Sequence, residues 1–519
     1  MSGRARRGVI AAIAVGAASA IGASAAPASD HVVHSFDGTP IVASWFPAPG
    51  LKHGQRAPTV LVGHGWGGSR YDRTASFSGA GESLGPKQLL RAGYNVLTWD
   101  ARGFGQSGGT VHVDSPHFEA RDVEKLVTFV AHRRQALLDG PGDPRVGMAG
   151  GSYGGGIQLN TASMDPRIDA LVPGISWHSL LTSLLKHGAV KGGWGSLLFG
   201  LGVPTSFAPL LGPAGLQSGT LDPHVTSAFL NGVVFASPSD SDRRFFRTRG
   251  PGHRVAKIRV PTLLIQGTAD TLFTLHEADR NYRILHRHHV PVKMIWFCGG
   301  HGQCMAPSNA PLSPPAAQER YTHRAALHWF NRYLKGRRSV GTGKRFRWFA
   351  DDGKLRSSSR YPLRKVGAVR ARGSGSLALS NGETSGLPYA GEPAPPGAVN
   401  VQLGPLRRGG NLVGMPKLRL RYSGQAEPAS TFVYAQLVDL SRNVVVGSQV
   451  MPVPLTLDGA SRTIRLSLET IAARAHKGSS YELQLVSGSE VYEPQRSTGT
   501  VTFSRISIAL PRTKPAASR

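Results

Sequence analysis

Arg145-Val146-Gly147-Met148-Ala149-Gly150-Gly151-Ser152-Tyr153-Gly154-Gly155-Gly156-Ile157-Gln158-Leu159 is the stretch that decides how this 519-residue chain folds. Its first five residues form a short apolar run that reads as a buried strand. The glycines permit a tight turn, and Gly155-Gly156-Ile157-Gln158-Leu159 opens a helix. Strand, sharp turn and helix in that order expose the Ser152 hydroxyl and aim the next backbone N–H into the same space. The G-x-S-x-G spacing alone is weak evidence, because glycine is abundant at 65 residues. A second match exists at Gly105-Gln106-Ser107-Gly108-Gly109. That copy follows the loop Asp100-Ala101-Arg102-Gly103-Phe104 and leads into Thr110-Val111-His112-Val113, not a helix, so Ser107 is read as a loop residue.

Similar apolar runs recur on both sides of this turn. Thr59-Val60-Leu61-Val62, Tyr94-Asn95-Val96-Leu97-Thr98-Trp99 and Asp169-Ala170-Leu171-Val172 read as strands. So do Pro261-Thr262-Leu263-Leu264-Ile265 and Val292-Lys293-Met294-Ile295-Trp296. Helical patterns lie between them, most clearly at 119–138 and 316–334. Continuous apolar strands with helical crossovers predict an α/β fold whose parallel sheet is covered on both faces. Residues 32–36 and 41–46, with Asp37-Gly38 between them, predict an antiparallel hairpin at one edge. Residues 177–257 break the rhythm with two apolar stretches, 180–185 and 197–201, and Pro- and Gly-rich loops. An insertion of that size between core strands predicts a cap lining an acyl or side-chain pocket.

From about residue 345 the period changes to two. Lys417-Leu418-Arg419-Leu420-Arg421-Tyr422, Phe432-Val433-Tyr434-Ala435-Gln436-Leu437, Thr463-Ile464-Arg465-Leu466-Ser467-Leu468 and Tyr481-Glu482-Leu483-Gln484-Leu485 alternate apolar and polar residues. They predict an antiparallel β-sandwich, with 371–398 as a loop wrapping the first domain. The division is a signal peptide at 1–26, an α/β catalytic domain at 27–340 with its cap at about 177–257, and a β-sandwich at 341–519.

The N-terminus carries Arg4, Arg6 and Arg7, then a Gly/Ala/Ile/Val run and an Ala23-Ser24-Ala25 cleavage pattern. These features predict export, to the medium or the cell envelope. Net charge is +29. Residues 341–519 hold 25 Lys and Arg against 11 Asp and Glu, or +14, which leaves +15 for the rest. A charge spread over both halves argues against specific nucleic-acid binding and for a nonspecific attraction to anionic envelope material.

Serine needs an adjacent base to act as a nucleophile. His301 follows the Val292–Trp296 run in Gly300-His301-Gly302, and Asp270 follows the Pro261–Ile265 run in Gln266-Gly267-Thr268-Ala269-Asp270. The order Ser152, Asp270, His301 is that of hydrolases built on such a sheet. Asp270 then orients the imidazole, and activity is expected to fall below roughly pH 6.5 as the imidazole protonates. Two oxyanion donors are expected: the Tyr153 backbone N–H, and the Trp66 backbone N–H in the loop His64-Gly65-Trp66-Gly67-Gly68. Cys298 and Cys304 bracket His301 and are the only cysteines. A disulfide is the favoured reading and two unlinked thiols the alternative. A zinc site there lacks the partner cluster it would need, and His286-Arg287-His288-His289 reads as an exposed helix end, so no metal is expected.

These motifs, with Trp329-Phe330-Asn331-Arg332-Tyr333-Leu334-Lys335-Gly336, resemble the X-Pro dipeptidyl-peptidase/cocaine-esterase (peptidase S15-like, CocE/NonD) group. The resemblance covers nearly all of the chain after the signal segment. It implies a hydrolase core, a helical cap and a jelly-roll-like sandwich. It further implies hydrolysis of a small ester or a short peptide through an acyl-enzyme, without a cofactor. Members typically place a Tyr hydroxyl in the oxyanion loop, where this chain has Trp66. Peptidase members hold a substrate amine with acidic groups, and the cap 177–257 offers only Asp222, Asp240 and Asp242. A strict X-Pro dipeptidyl peptidase is one alternative. A non-catalytic envelope-binding protein is the competitor from another class.

Overall fold

The structure is a computed structural model that describes residues 28–71, 84–206, 220–301, 304, 316–382, 393, 397–514 and 517–518. The expected signal peptide, 1–26, lies outside the described residues.

Ten strands build the first sheet: β1 (Ser29–His34), β2 (Pro40–Phe46), β3 (Thr59–Gly63), β4 (Asn95–Trp99) and β5 (Val146–Gly151), then β6 (Ile168–Gly174), β7 (Thr262–Gly267), β8 (Val292–Phe297), β9 (Phe346–Phe349) and β10 (Leu355–Ser358). Their spatial order is β1-β2-β4-β3-β5-β6-β7-β8-β9-β10, and Ala517–Ser518 closes the far edge. Pairing is parallel from β4 through β9. The β1–β2 hairpin and β10 run antiparallel at the edges.

All five residues of β3 and all six of β5 and β7 are buried, so alternate side chains feed two cores. Leu61, Leu97, Met148, Leu171 and Leu264 pack with Val123, Leu126 and Val130 of the Glu119–Ala131 helix. Val60, Val96, Ala149, Val172 and Ile265 pack on the other face with Ala326, Trp329 and Phe330 of the Ala316–Tyr333 helix. This is the doubly covered sheet that uninterrupted apolar strands require.

Four expectations need correction. The helix expected at 119–138 ends at Ala131. Residues beyond it pair with the segment before β3, through Ala57 N–H to the Gln135 carbonyl at 2.9 Å and Leu137 N–H to the Ala57 carbonyl at 2.9 Å. The first sheet does not stop at 340, because β9 and β10 extend it. The runs at Lys417 and Phe432 belong to one long strand, Lys417–Asp439. The expected loop at 371–398 begins as the end of a strand, Lys365–Leu379, paired with Thr498–Thr513. Gly373 and Gly375 stand inside this strand. They fit a crowded sheet interior, where a Cβ at Gly373 would lie 2.7 Å from Val401 and one at Gly375 2.8 Å from Val399.

The C-terminal domain is a nine-stranded antiparallel sheet that curls around a core of Leu418, Leu420, Val433, Leu437, Val453, Leu483 and Phe503, among others. The cap rises between β6 and β7. It carries the helices Leu180–Leu184, Gly192–Ser206, Pro223–Ala228 and Asp240–Arg247.

Candidate active site

Ser152 occupies the turn between β5 and the Tyr153–Ala162 helix, with φ 55° and ψ −117°. That backbone is strained for a residue with a Cβ, by about 1–3 kcal/mol. The neighbours make it tolerable. A Cβ at Gly150 would lie 2.6 Å from the Gly63 carbonyl oxygen, and one at Gly154 2.3 Å from the same atom. Glycine at both positions lets the helix start pack directly on β3.

His301 and Asp270 reach Ser152 from the carboxyl ends of β8 and β7. His301 Nε2 lies 2.7 Å from Ser152 Oγ, and His301 Nδ1 lies 2.9 Å from Asp270 Oδ2. Asp270 is fully buried. Its other oxygen, Oδ1, accepts from the N–H groups of Leu272 at 3.0 Å and Phe273 at 2.8 Å, which leaves Oδ2 for the imidazole. Trp194 of the cap and Phe273 meet the His301 ring edge-on, at 5.8 and 5.1 Å. Cys298 and Cys304 are joined as a disulfide across the His301 loop. The structure thus brings all three distant residues together. Ser107 is elsewhere: its hydroxyl is buried, accepts from Val42 N–H and donates to the Asp100 carbonyl. His286 closes the Leu275–Arg287 helix on the exposed surface. No cluster of three or more metal-ligating side chains occurs among the described residues.

The loop after β3 is tied down by His64, a role that no local pattern around it signals. Its Nε2 accepts from Ala101 N–H at 3.0 Å, so Nδ1 carries the proton donated to the Gly65 carbonyl at 2.7 Å. Burial lowers its pKa and keeps the ring neutral. The Trp66 indole donates to the Leu198 carbonyl of the cap at 2.8 Å, and its ring packs edge-on against Tyr153 at 5.4 Å. The Tyr153 hydroxyl accepts from Asp114 N–H at 3.2 Å. Burial, then the carboxylates of Glu119 and Asp114, hold that phenol well above its usual pKa, so it stays protonated. Neither the Trp66 nor the Tyr153 backbone N–H donates to another described residue.

Over Ser152 opens an apolar cavity. Its walls are mostly cap residues, including Leu180, Leu184, Leu198, Phe199, Phe229 and Phe246. The expected cap therefore lies on the site. Its acidic residues do not. Asp222 caps the Pro223–Ala228 helix and accepts from His112 at 2.7 Å, while Asp242 forms a capping box with Ser239. Lys191 is the one charged residue among the described wall residues. Its Nζ donates to the carbonyls of Thr271 at 2.5 Å and Leu272 at 3.0 Å. Burial lowers its pKa to about 8. In the sequence it was a lone cation in an apolar run, with nothing to single it out.

A model of the X-Pro dipeptidyl-peptidase (S15) family matches residues 37–303. Among solved structures, a CocE/NonD family hydrolase from Staphylococcus aureus aligns with TM-score 0.65 at 14% identity, covering 93% of each chain. An α-amino acid ester hydrolase aligns with TM-score 0.69 at 13% identity, covering 96% of this chain and 98% of that one. At those identities the likeness is one of fold. An uncharacterized 31.7 kDa protein of Escherichia coli is 28% identical over 126 residues, which is 24% of this chain and 38% of that protein. The chain spans well under half the length of that curated relative.

Proposed function

The chain belongs to the X-Pro dipeptidyl-peptidase (S15) family, and from this premise we propose that it is an exported serine hydrolase that cleaves carboxylic esters or amides through an acyl-enzyme on Ser152. One observation carries the reading: His301 bridges Ser152 and Asp270 at 2.7 and 2.9 Å, and Ser152 itself lines an apolar cavity.

His301 Nε2 takes the hydroxyl proton as Ser152 Oγ attacks the substrate carbonyl carbon. The N–H groups of Tyr153 and Trp66 receive the oxyanion that develops. The imidazolium then protonates the departing alcohol or amine. Water repeats the sequence on the acyl-enzyme and frees the acid. Asp270, its second oxygen held by two backbone donors, keeps the proton on Nδ1 and stabilises the imidazolium.

The wall supports an ester with an apolar acyl group over a dipeptide. A substrate ammonium entering the cavity would meet no carboxylate among the described wall residues and would approach Lys191. An aliphatic or aryl chain would be desolvated against Leu, Val and Phe side chains, at roughly 25 cal/mol per Å² buried. Export rests on the basic, small-residue N-terminus.

A fluorophosphonate probe is expected to label the wild type and not Ser152→Ala. Chromogenic acyl esters of graded length are expected to turn over faster than X-Pro anilides. Absence of labelling and of turnover would leave the non-catalytic reading in place. Turnover confined to the anilides would restore the strict dipeptidase.

A further inference from the structure

The outer face of the C-terminal sheet carries an unpaired field of positive charge, independent of the hydrolase reading. Strand alternation puts Leu418, Leu420 and Tyr422 in the core, and Lys417, Arg419 and Arg421 outside. Three neighbouring strands continue the pattern. Arg372 stands opposite Ser507, Ser507 opposite Arg419, and Arg419 opposite Arg465, which makes one row across four strands. Beside it, Arg370, Ala509, Lys417 and Ser467 make a second row. Arg505, Arg421 and Thr463 make a third. All seven cations are exposed. None forms an ion pair among the described residues, and the rows contain no carboxylate. Asp458, at the end of the neighbouring hairpin, is already taken by Arg462.

Two of these pairs, Arg419 with Arg465 and Arg421 with Arg505, set like charges directly across from each other. That arrangement destabilises a sheet. The fold does not need it, since Ser and Thr occupy equivalent positions in the same rows. Adjacent strands are about 4.8 Å apart and alternate residues along a strand about 7 Å. The rows therefore tile a surface in two dimensions. A linear polyanion would lie along one row and leave the others unmatched, whereas a layer of anionic headgroups meets all three. A solvent-open hollow bounded by Arg419, Arg421, Ser461, Arg462, Thr463 and Arg505 offers a seat for a headgroup phosphate.

We propose that this face, centred on Arg419, Arg421 and Arg465, docks the protein on an anionic phospholipid surface. Arginine suits phosphate because its guanidinium presents paired donors. The three rows themselves carry no exposed large apolar side chain, so the attachment is electrostatic and peripheral.

Sedimentation of the full-length chain with vesicles tests it. Vesicles of phosphatidylcholine with about 30% phosphatidylglycerol are expected to bind at least about tenfold more protein than phosphatidylcholine alone, with the gain lost as NaCl rises from about 0.05 to about 0.5 M. The variant Arg419→Gln/Arg465→Gln/Arg505→Gln is expected to lose most of that binding. A control of equal charge, Arg287→Gln/Arg320→Gln/Arg337→Gln on the hydrolase domain, is expected to retain it. On wild-type protein, phenylglyoxal modification of Arg419, Arg421 and Arg465 is expected to slow when phosphatidylglycerol vesicles are present. This readout needs no variant to fold. Equal loss in both triple variants, unprotected arginines, or binding to soluble polyphosphate with none to vesicles would each overturn the proposal. Fluorophosphonate labelling of Ser152 in the same samples reports the hydrolase reading separately.

Discussion

Gln449, on a strand of the C-terminal sheet, donates from Nε2 to the backbone carbonyl of Asp270 at 3.0 Å. Both residues are buried. Asp270 is therefore held at two points: its carboxylate by the following loop, and its backbone by a side chain 179 residues away in the chain, in the C-terminal domain. Cap and sandwich side chains also share one cluster with the site, where Tyr153, Trp177 and Phe273 pack with Tyr434, Val450 and Tyr492. The second domain thus forms part of the wall behind the relay.

Gln449→Leu is expected to strip a buried carbonyl of its donor, at a cost of about 1–3 kcal/mol in stability. Because that carbonyl belongs to Asp270, kcat should drop while KM changes little. Denaturant melts and steady-state kinetics with an acyl ester check both. A stability loss with unchanged kcat would reduce Gln449 to a general support of the domain interface.

Two glycine-to-alanine substitutions should have opposite effects. Gly154→Ala puts a Cβ 2.3 Å from the Gly63 carbonyl oxygen, backbone against backbone, so the elbow must shift. A loss of about 1–3 kcal/mol and of fluorophosphonate labelling is expected. Gly200→Ala, on the exposed side of the Gly192–Ser206 helix, meets nothing within 4 Å. It should raise the melting temperature, since alanine favours helix over glycine by up to about 1 kcal/mol.

The Cys298–Cys304 disulfide closes a short loop around His301. Replacing both cysteines by alanine frees that loop in the unfolded chain and in the native one. The loop-entropy relation gives about 2 kcal/mol of lost stability for so short a ring. Turnover is expected to fall further than this predicts, because His301 loses its tether. Dithiothreitol added to the wild type should reproduce the loss, and reoxidation should reverse it.

Glu493 supplies a test of pH dependence. Burial raises its carboxyl to about 8, and Arg496, 3.9 Å away, only partly offsets this. Its Oε1 has no hydrogen-bond partner among the described residues. The folded chain thus keeps a proton that the unfolded chain releases near the ordinary glutamate value. The stabilising contribution is whole below about pH 4.5 and is lost as pH rises through about 8. Glu493→Gln, which mimics the protonated acid, should flatten this part of the stability profile and be the more stable form at alkaline pH. Urea melts at acid and alkaline pH measure it. Parallel profiles for variant and wild type would show that Glu493 is ionised in the native state.

How much of this was legible in the sequence follows from what each feature depends on. The strands from Thr59 to Val292 were readable because a doubly covered parallel sheet buries every residue, so the apolar run is itself the signal. The elbow was readable because only glycine fits beside Gly63, and those glycines stand next to Ser152 in the chain. The strand at Lys365–Leu379 was misread for the same chemical reason in reverse. Its glycines make room for Val399 and Val401, contacts between residues more than twenty positions apart.

Taken alone, the sequence determined the sheet, the order Ser152, Asp270, His301 and the presence of a cap, since each is written in local period or in neighbours along the chain. The tertiary structure alone decided that the Asp222 and Asp242 carboxylates are spent as helix caps, that Lys191 stands in the cavity wall, that Gln449 holds Asp270, and that seven cations from four strands share one face. Those outcomes depend on register and packing between distant segments. A residue's type fixes what it can bond, but only the fold fixes what comes within reach.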